Sequence, residues 1–397
     1  MGKARIWPCA TFIALVLFAG CDRPNDIPFE YELFDALRGR AVRTGGWADY
    51  ANNGQGIAYT NPDYPIVICN CDAPNPIAKM EAFVEALGRT EPTFIIVCGD
   101  IDLSRGRIGY ANVPPENIPA SERVFLINAD TTIIGINDAR LMFGGLQLDG
   151  RPGDGRAPVQ NVIIRNITFW DAVDYDLNLD KLLLWDASGV WVNHNRFTAG
   201  TRIHHRHDTR WHDDTLNIRE GQITASWNVF YNLDRTILVG SNDGATNPED
   251  RRVTLHHNLF RNVHQRVPRT RGTLMHIYNN YFADANLYVM GPGINARFVV
   301  QNNLFDTAGA RGIVDWGFPH VGAVIWSEGN VAGLGIAGVT AGEVDWGTND
   351  DRAKPWEPGD FYEYILAANV EGLRQLIPER AGPTLRTIDD FTAGLRD

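Results

Sequence analysis

From residue 161 onward the sequence repeats one short phrase: three or four alternating apolar positions, a polar turn, then Asn-x-Phe. It reads VIIRNITF at 162–169, VWVNHNRF at 190–197, ITASWNVF at 223–230, VTLHHNLF at 253–260, MHIYNNYF at 275–282 and FVVQNNLF at 298–305, with a worn copy at 324–332. Asn195, Asn228, Asn258, Asn280, Asn303 and Asn330 hold one position in it, at separations of 33, 30, 22, 23 and 27 residues. The first copy departs, with Asn166 three positions before Phe169. Each unit is too short to bury its own apolar face, so units must stack. A fixed strand–turn–strand unit with variable spacing is the pattern of a solenoid with loop insertions. Aligned asparagines would bond to one another and to backbone at a tight bend, and aligned Phe and Val would stack inside. An antiparallel sandwich would need hairpin turns, and Asn-Gly pairs are scarce. The expected fold is all-β, a single-stranded right-handed parallel β-helix.

The flanks supply caps. Asn75-Pro76 opens a predicted helix with Met80, Phe83, Val84 and Leu87 on one face and Gly88 at its end, an N-terminal capping helix. Residues 65–71, Thr93 to Val97 and Thr131 to Ile134 read as strands. After residue 345 the phrase stops, and Phe361 to Ile377 reads as a helix ending before Pro378, a C-terminal helical cap over the last sheet edge. The expected division is 1–20 signal peptide, 21–60 N-terminal arm, 61–345 β-helix and 346–397 C-terminal cap. The pattern of residues 22–60 predicts no particular element.

Lys3 and Arg5 precede a short apolar run, Phe12 to Ala19, and small residues lead to Cys21. That is an export signal, resembling a bacterial lipoprotein cleavage site with Cys21 as the lipidated N-terminus; an ordinary secretory signal is the alternative. Any membrane association is expected through that anchor alone. Export permits a disulfide, and Cys69 and Cys98 sit in strand-like runs, but free buried cysteines fit equally well. The formal charge of −12 argues against nucleic-acid binding. An acidic ligand remains compatible if positive charge is concentrated in one groove. Arg266 to Arg271 provides such a concentration, with three arginines in six residues.

The phrases VWVNHNRF, HDDTLNI, ITASWNVF, RTILVGSND, VTLHHNLF, RVPRTRG and IYNNYF occur in the order found in polysaccharide lyase family 1, the pectate and pectin lyases, which the chain resembles over roughly residues 65–335. The resemblance implies β-elimination in α-1,4-galacturonan. It assigns Arg266 as the proton-abstracting base, Arg271 as a carboxylate-binding partner, and Arg235 to a position where many pectate lyases have a substrate-binding lysine. A free guanidinium is always protonated, so such a base needs neighbouring cations to lower its pKa or a water to relay the proton. The bland alternative is that the arginines only bind carboxylates.

The same resemblance implies a calcium site, here thinned. The Trp-x-Asp-His segment reads Trp191-Val192-Asn193-His194, and the acidic pair spaced by four reads Asp213 and Asn217. Asp213, Asn193 and Asn217 are the expected ligands, with Asp214 able to compensate, so calcium binding is expected to be weak or substrate-dependent. Asp180 aligns with a family aspartate near a strand start, and Asp171, Asp174 and Asp176 read as a solvated loop. His204, His205, His207 and His212 read as a solvated or sugar-contacting loop rather than a transition-metal site, and His194, His256, His257 and His276 as hydrogen-bonded structural histidines. The expectation is an exported lyase acting as a monomer on an acidic polysaccharide. A calcium-independent pectin lyase and a non-catalytic acidic-glycan-binding β-helix are the alternatives.

Overall fold

A computed structural model describes residues 29–53, 55–60, 66–69, 76–109, 111–157, 159–172, 179–201, 213–333, 346 and 353–392. Its strands form a parallel β-helix in which each coil passes through three ladders. The first ladder is a seven-stranded sheet that includes Leu182–Trp185, Leu216–Ile218, Ile237–Val239 and Arg269–Thr270. The second carries the strands that open each phrase, such as Ala187–Asn193, Gly221–Ser226 and Arg251–His256. The third carries those that close it, such as Thr168–Trp170, Arg196–Thr198, Val229–Arg235 and Leu259–Gln265.

The repeated asparagine explains why the coils stack in this register. The backbone N–H of Asn195 donates to Asn228 Oδ1, that of Asn228 to Asn258, and so on through Asn280 and Asn303 to Asn330, each at 2.9 Å. Each amide nitrogen also reaches a backbone carbonyl one coil back, as Asn258 does to Ala225 at 2.9 Å. The residue before each of these asparagines makes the bend in the left-handed region: His194 at φ 52°, Trp227 at 55°, His257 at 52°, Asn279 at 53° and Asn302 at 49°. Such a conformation costs a non-glycine residue about 1 kcal/mol or more; the asparagine bonds offset it. The departure of the first copy now has a reason. Asn166 itself takes the bend at φ 63°, and Ile167 donates to Asn195 Oδ1 at 3.0 Å.

Inside the coils, Phe169, Phe197, Phe230, Phe260, Phe282 and Phe305 stack in a file with centroids 4.7–5.1 Å apart. Each is fully buried, worth roughly 1.5–3 kcal/mol of transfer free energy. The helix Pro76–Leu87 closes one end of this core with Met80, Phe83, Ala86 and Leu87. Trp346 closes the other, edge-on to Phe305 at 6.0 Å.

The C-terminal segment departs from expectation. Of the stretch expected to be one helix, only Leu373 onward is helical, in Leu373–Arg380, which continues past Pro378, with a second short helix at Ile388–Thr392; residues 361–372 form an irregular strap along the asparagine turn. Asparagines at the bend hold the strap by its backbone. Asn279 Nδ2 donates to the Ile365 carbonyl at 2.8 Å, Ala367 N–H donates to Asn279 Oδ1 at 2.9 Å, and Asn302 Nδ2 donates to the Ala367 carbonyl at 2.9 Å. A helix would turn those backbone groups inward on itself. Phe361 and Tyr362 close over the buried Trp47 at 4.8 and 5.4 Å. The N-terminal arm resolves into helix Phe29–Leu37, a two-stranded antiparallel pair of Ala41–Val42 with Ile57–Ala58, and the short helix Trp47–Tyr50.

Cys98 is disulfide-bonded. The signal segment with Cys21, and the loop carrying His204, His205, His207 and His212, lie outside the described residues. No helix among the described residues is long and apolar enough to cross a membrane.

Candidate active site

The chain enters each strand of the first ladder from the third, and the entry residues line up. Leu182, Leu216 and Ile237 are register partners. The residues two positions before them are Asp180, Asp214 and Arg235, which therefore form a row along the outside of the coils. Arg266 extends it, its carbonyl accepting the Ile237 N–H at 2.7 Å. Arg266 sits at φ 60°, a strained backbone position of the sort that accumulates at functional sites.

Acids and bases interlock across this row. Arg235 Nη1 donates to Asp213 Oδ1 at 2.6 Å, and Arg266 Nη1 donates to both oxygens of Asp214 at 2.7 and 2.9 Å. Asp180 is buried beside them and accepts from Asn217 Nδ2 at 3.0 Å. Asp180 Oδ1, Asn217 Oδ1 and Arg235 Nε are buried without a hydrogen-bond partner. Burial pushes the Asp214 carboxyl up to about 6 against the opposing pull of Arg266. Burial, then the charges of Asp214 and Asp213, push Asp180 well above the carboxylate range.

Carboxylate oxygens of Asp180, Asp213 and Asp214 lie within 4.8 Å of one another, and Asn217 joins the group through its Nδ2 bond to Asp180 while its own oxygen stays unpartnered. An all-oxygen set of three carboxylates and an amide suits a hard divalent cation, so the residues fit calcium. Asn193, expected among the ligands, is not brought here. It ends a strand of the second ladder, where its amide donates to Ser226 Oγ at 2.9 Å and its oxygen meets His194 Nδ1 at 2.6 Å. Asp180 lies beside Asp213 and Asp214 instead. Proximity in sequence to Trp191 and His194 pointed to the wrong ladder; the position two before the strand, shared by Asp180 and Asp214, was the usable signal.

Arg266 also departs from expectation. Burial acts to lower its pKa, but the charge of Asp214 and the hydrogen bond to it outweigh that, and the net shift is upward. Arg271 lies further along the groove, where Nε donates to Asp243 Oδ1 at 2.7 Å. Arg269 lies between them on the outward face, its guanidinium 3.4 Å from the Phe318 ring centroid. It shares the buried Tyr288 with Arg266: burial raises that phenol, and the two guanidinium charges only partly oppose the shift. The structure thus gathers Arg235, Arg266, Asp213 and Asn217 with Asp180 and Asp214, and sets Arg271 apart on an exposed aspartate.

The structural histidines are accounted for. His256 Nε2 meets the Thr44 carbonyl at 2.7 Å, and His276 lies between Tyr362 Oη at 3.0 Å and Gln301 Oε1 at 3.1 Å. Trp227 is sandwiched between His194 and His257. Trp185 is flanked by the guanidiniums of Arg151 and Arg219 at 3.9 and 4.3 Å.

Among solved structures, the fold matches one described as pectate lyase bound to hexasaccharide, with a TM-score of 0.66 and 21% identity over 87% of this chain and 98% of that one. Among curated proteins, a pectate lyase of Bacillus subtilis (strain 168) is 29% identical over 214 residues, 46% of this chain and 49% of the relative. Pectate lyase E of Dickeya dadantii (strain 3937) is 30% identical over 259 residues, 58% of this chain and 61% of the relative. The chain therefore spans about half to three fifths of the length of these two relatives. A family profile described as pectate lyase matches residues 9–320. That match covers most of the sequence, and the chain belongs to the pectate lyase family.

Proposed function

We propose that the protein is an exported lyase that cleaves α-1,4-galacturonan by β-elimination. The observation that carries this reading is the row of interlocked carboxylates and guanidiniums on the outside of adjacent coils. The C5–H of a uronate is weakly acidic while the neighbouring carboxylate keeps its charge. Removing that proton places an electron pair at C5, which forms the C4–C5 double bond as the C4–O bond breaks, and the departing oxygen takes a proton from water to become the hydroxyl of the released sugar. Fixed positive groups around the C6 carboxylate stabilise the charge that develops. Arg235, with its unpartnered Nε, and Arg271 bind substrate carboxylates, and Arg266 takes the C5 proton, directly or through an ordered water. Asp180, Asp213, Asp214 and Asn217 would hold calcium, which supplies further positive charge to the substrate carboxylate. Asp214 positions Arg266 by accepting its Nη1.

A second reading is favoured by one observation. Arg266 is paired with Asp214 and its pKa is raised, which suits a carboxylate-binding cation better than a base. On that reading the groove binds acidic glycan without cutting it. Incubation with polygalacturonate and with methyl-esterified pectin, with and without calcium, while following the ultraviolet absorbance of the unsaturated product, decides between them. Calcium-stimulated product from polygalacturonate supports the lyase. Binding without product on either polymer supports the second reading, and product from esterified pectin alone, indifferent to chelator, indicates calcium-independent action.

A further inference from the structure

We propose that the outward face of the third ladder is a second, non-catalytic track for the same acidic polysaccharide, a proposal that rests on the uronan reading above. Two rows of side chains on that face carry it. In one, Arg140, Thr168 and Arg196 are register partners in consecutive coils. In the next, Met142, Trp170, Thr198, Tyr231 and Arg261 follow one another. Phe169, Phe197 and Phe230 alternate with these residues and point into the core, so both rows lie on the outer side of the ladder, where the small Thr168 and Thr198 are themselves covered by their larger neighbours.

The spacing suits a regular polymer. Arg140 and Arg196 are two coils apart, ~10 Å at the usual ~4.8 Å between strands. That is comparable to the separation of alternate carboxylates along an extended uronan. Trp170 and Tyr231 are also two coils apart, and aromatic faces at that interval can stack on alternate sugar rings. Arg261 follows Tyr231 in the next coil. Around the first of these residues lies a groove of about 790 Å³ whose charged lining is Lys79, Arg140, Arg196 and Arg386 against Asp100 and Asp138. Pro383 and Thr384 of the C-terminal segment line it as well.

The groove carries positive charge beyond its own ion pairs. Arg140 is held by Asp100 through two bonds of 2.5 and 2.6 Å, with its guanidinium 5.5 Å from the Trp170 ring centroid. Arg386 is paired with Asp138 at 2.9 Å. The side chains of Arg196 and Arg261 are exposed and make no ion pair or hydrogen bond with any described residue. Tyr231 is 40% exposed. In a chain of formal charge −12, unspent guanidiniums beside the half-buried Trp170 and the exposed Tyr231 favour a polyanion with apolar ring faces. The track also leads toward the site already described. Tyr231 and Arg235 lie four residues apart in one strand that bends at Asn232, at most ~13 Å, so polymer held on the track stays beside the groove that acts on it.

The test pairs one charge-reversal variant, Arg196→Glu with Arg261→Glu, with one aromatic variant, Trp170→Ala, each checked for an unchanged melting temperature. Migration is measured in gels containing polygalacturonate, fully methyl-esterified pectin or no polymer, and kinetics on polygalacturonate and on trigalacturonate, too short to span both surfaces. Retardation by polygalacturonate should weaken for both variants, and the double charge reversal should raise KM on the long polymer about five- to tenfold with kcat unchanged. Kinetics on the trimer should not move, and the difference on the long polymer should shrink in high salt. Wild-type retardation and KM in both variants would overturn the track. Equal loss of retardation on the neutral polymer would overturn its charge basis. If wild-type protein cleaves no uronan, yet its retardation is lost in the variants, the lyase reading fails and the track stands.

Discussion

At the bend between the second and third ladders, the asparagine file leaves none of its buried amide atoms unpaired, while the entry to the first ladder leaves Asp180 Oδ1, Asn217 Oδ1 and Arg235 Nε without partners. Both regions are built on coil register. In the first, the same residue recurs and each copy satisfies its neighbour. In the second, the recurring position carries Asp, Asp, Arg and Arg, whose charges are only partly answered within the protein. The first region binds coil to coil; the second retains polar atoms with no partner in the protein, which suits an added cation or an acidic ligand.

The contrast is sharpest when each region is damaged in turn. Arg266→Lys should lower kcat on polygalacturonate by about 100- to 10,000-fold, a typical range for losing a general base, with polymer binding and melting temperature retained. A variant with wild-type turnover would remove Arg266 from the role. Asn258→Ala should do the reverse. It removes an acceptor and a donor from the middle of the file and leaves the Asn228 N–H unpaired, at about 2–4 kcal/mol of stability. Chemical denaturation would show the loss, and activity per folded molecule should stay near the wild-type value.

Asp180→Asn tests whether the acidic group is a cation site. Removing one of three crowded carboxylates should raise the melting temperature in chelator and raise the calcium needed for half-maximal activity by about tenfold. A lowered melting temperature in chelator would show that the ionised Asp180 is itself a stabilising group.

The smallest effect concerns the histidines beneath the strap. Burial holds His256 down to about 4 and His276 to about 3. Above the unfolded-state pKa of roughly 6.5 both states are neutral and these groups add no pH dependence. As pH falls from there toward the folded values, the unfolded chain takes up protons that the folded chain refuses, and stability declines. Melting temperature should drop across that window. His276→Gln should flatten its contribution, and an identical slope in that variant would place the dependence elsewhere.

The coil architecture was legible because one turn residue recurs, and the hydrogen bonds it implies depend only on register. The site was half legible. Arg235 and Arg266 share one entry position in adjacent coils, and Asp213 and Asn217 meet them because they flank that position in the coil of Asp214. Asn193 was misplaced because neighbours in sequence go to different ladders, and Asp180 supplies the contact instead. The strap and the N-terminal arm were not legible. Their partners, such as Tyr362 with Thr254 and Trp47 with Thr254, are over 100 residues away, and nothing repeats in them to reveal a period.

The asparagine file runs one way: every backbone N–H in it points to the coil that follows. A coil is therefore a module with a donor on one side and an acceptor on the other. A whole turn carrying its own asparagine can be spliced in or removed with the joints still matched. The loops outside that bend are free to lengthen, as the 22- to 33-residue spacings show, so the outer loops can be recast without reopening the seam that keeps the β-helix wound.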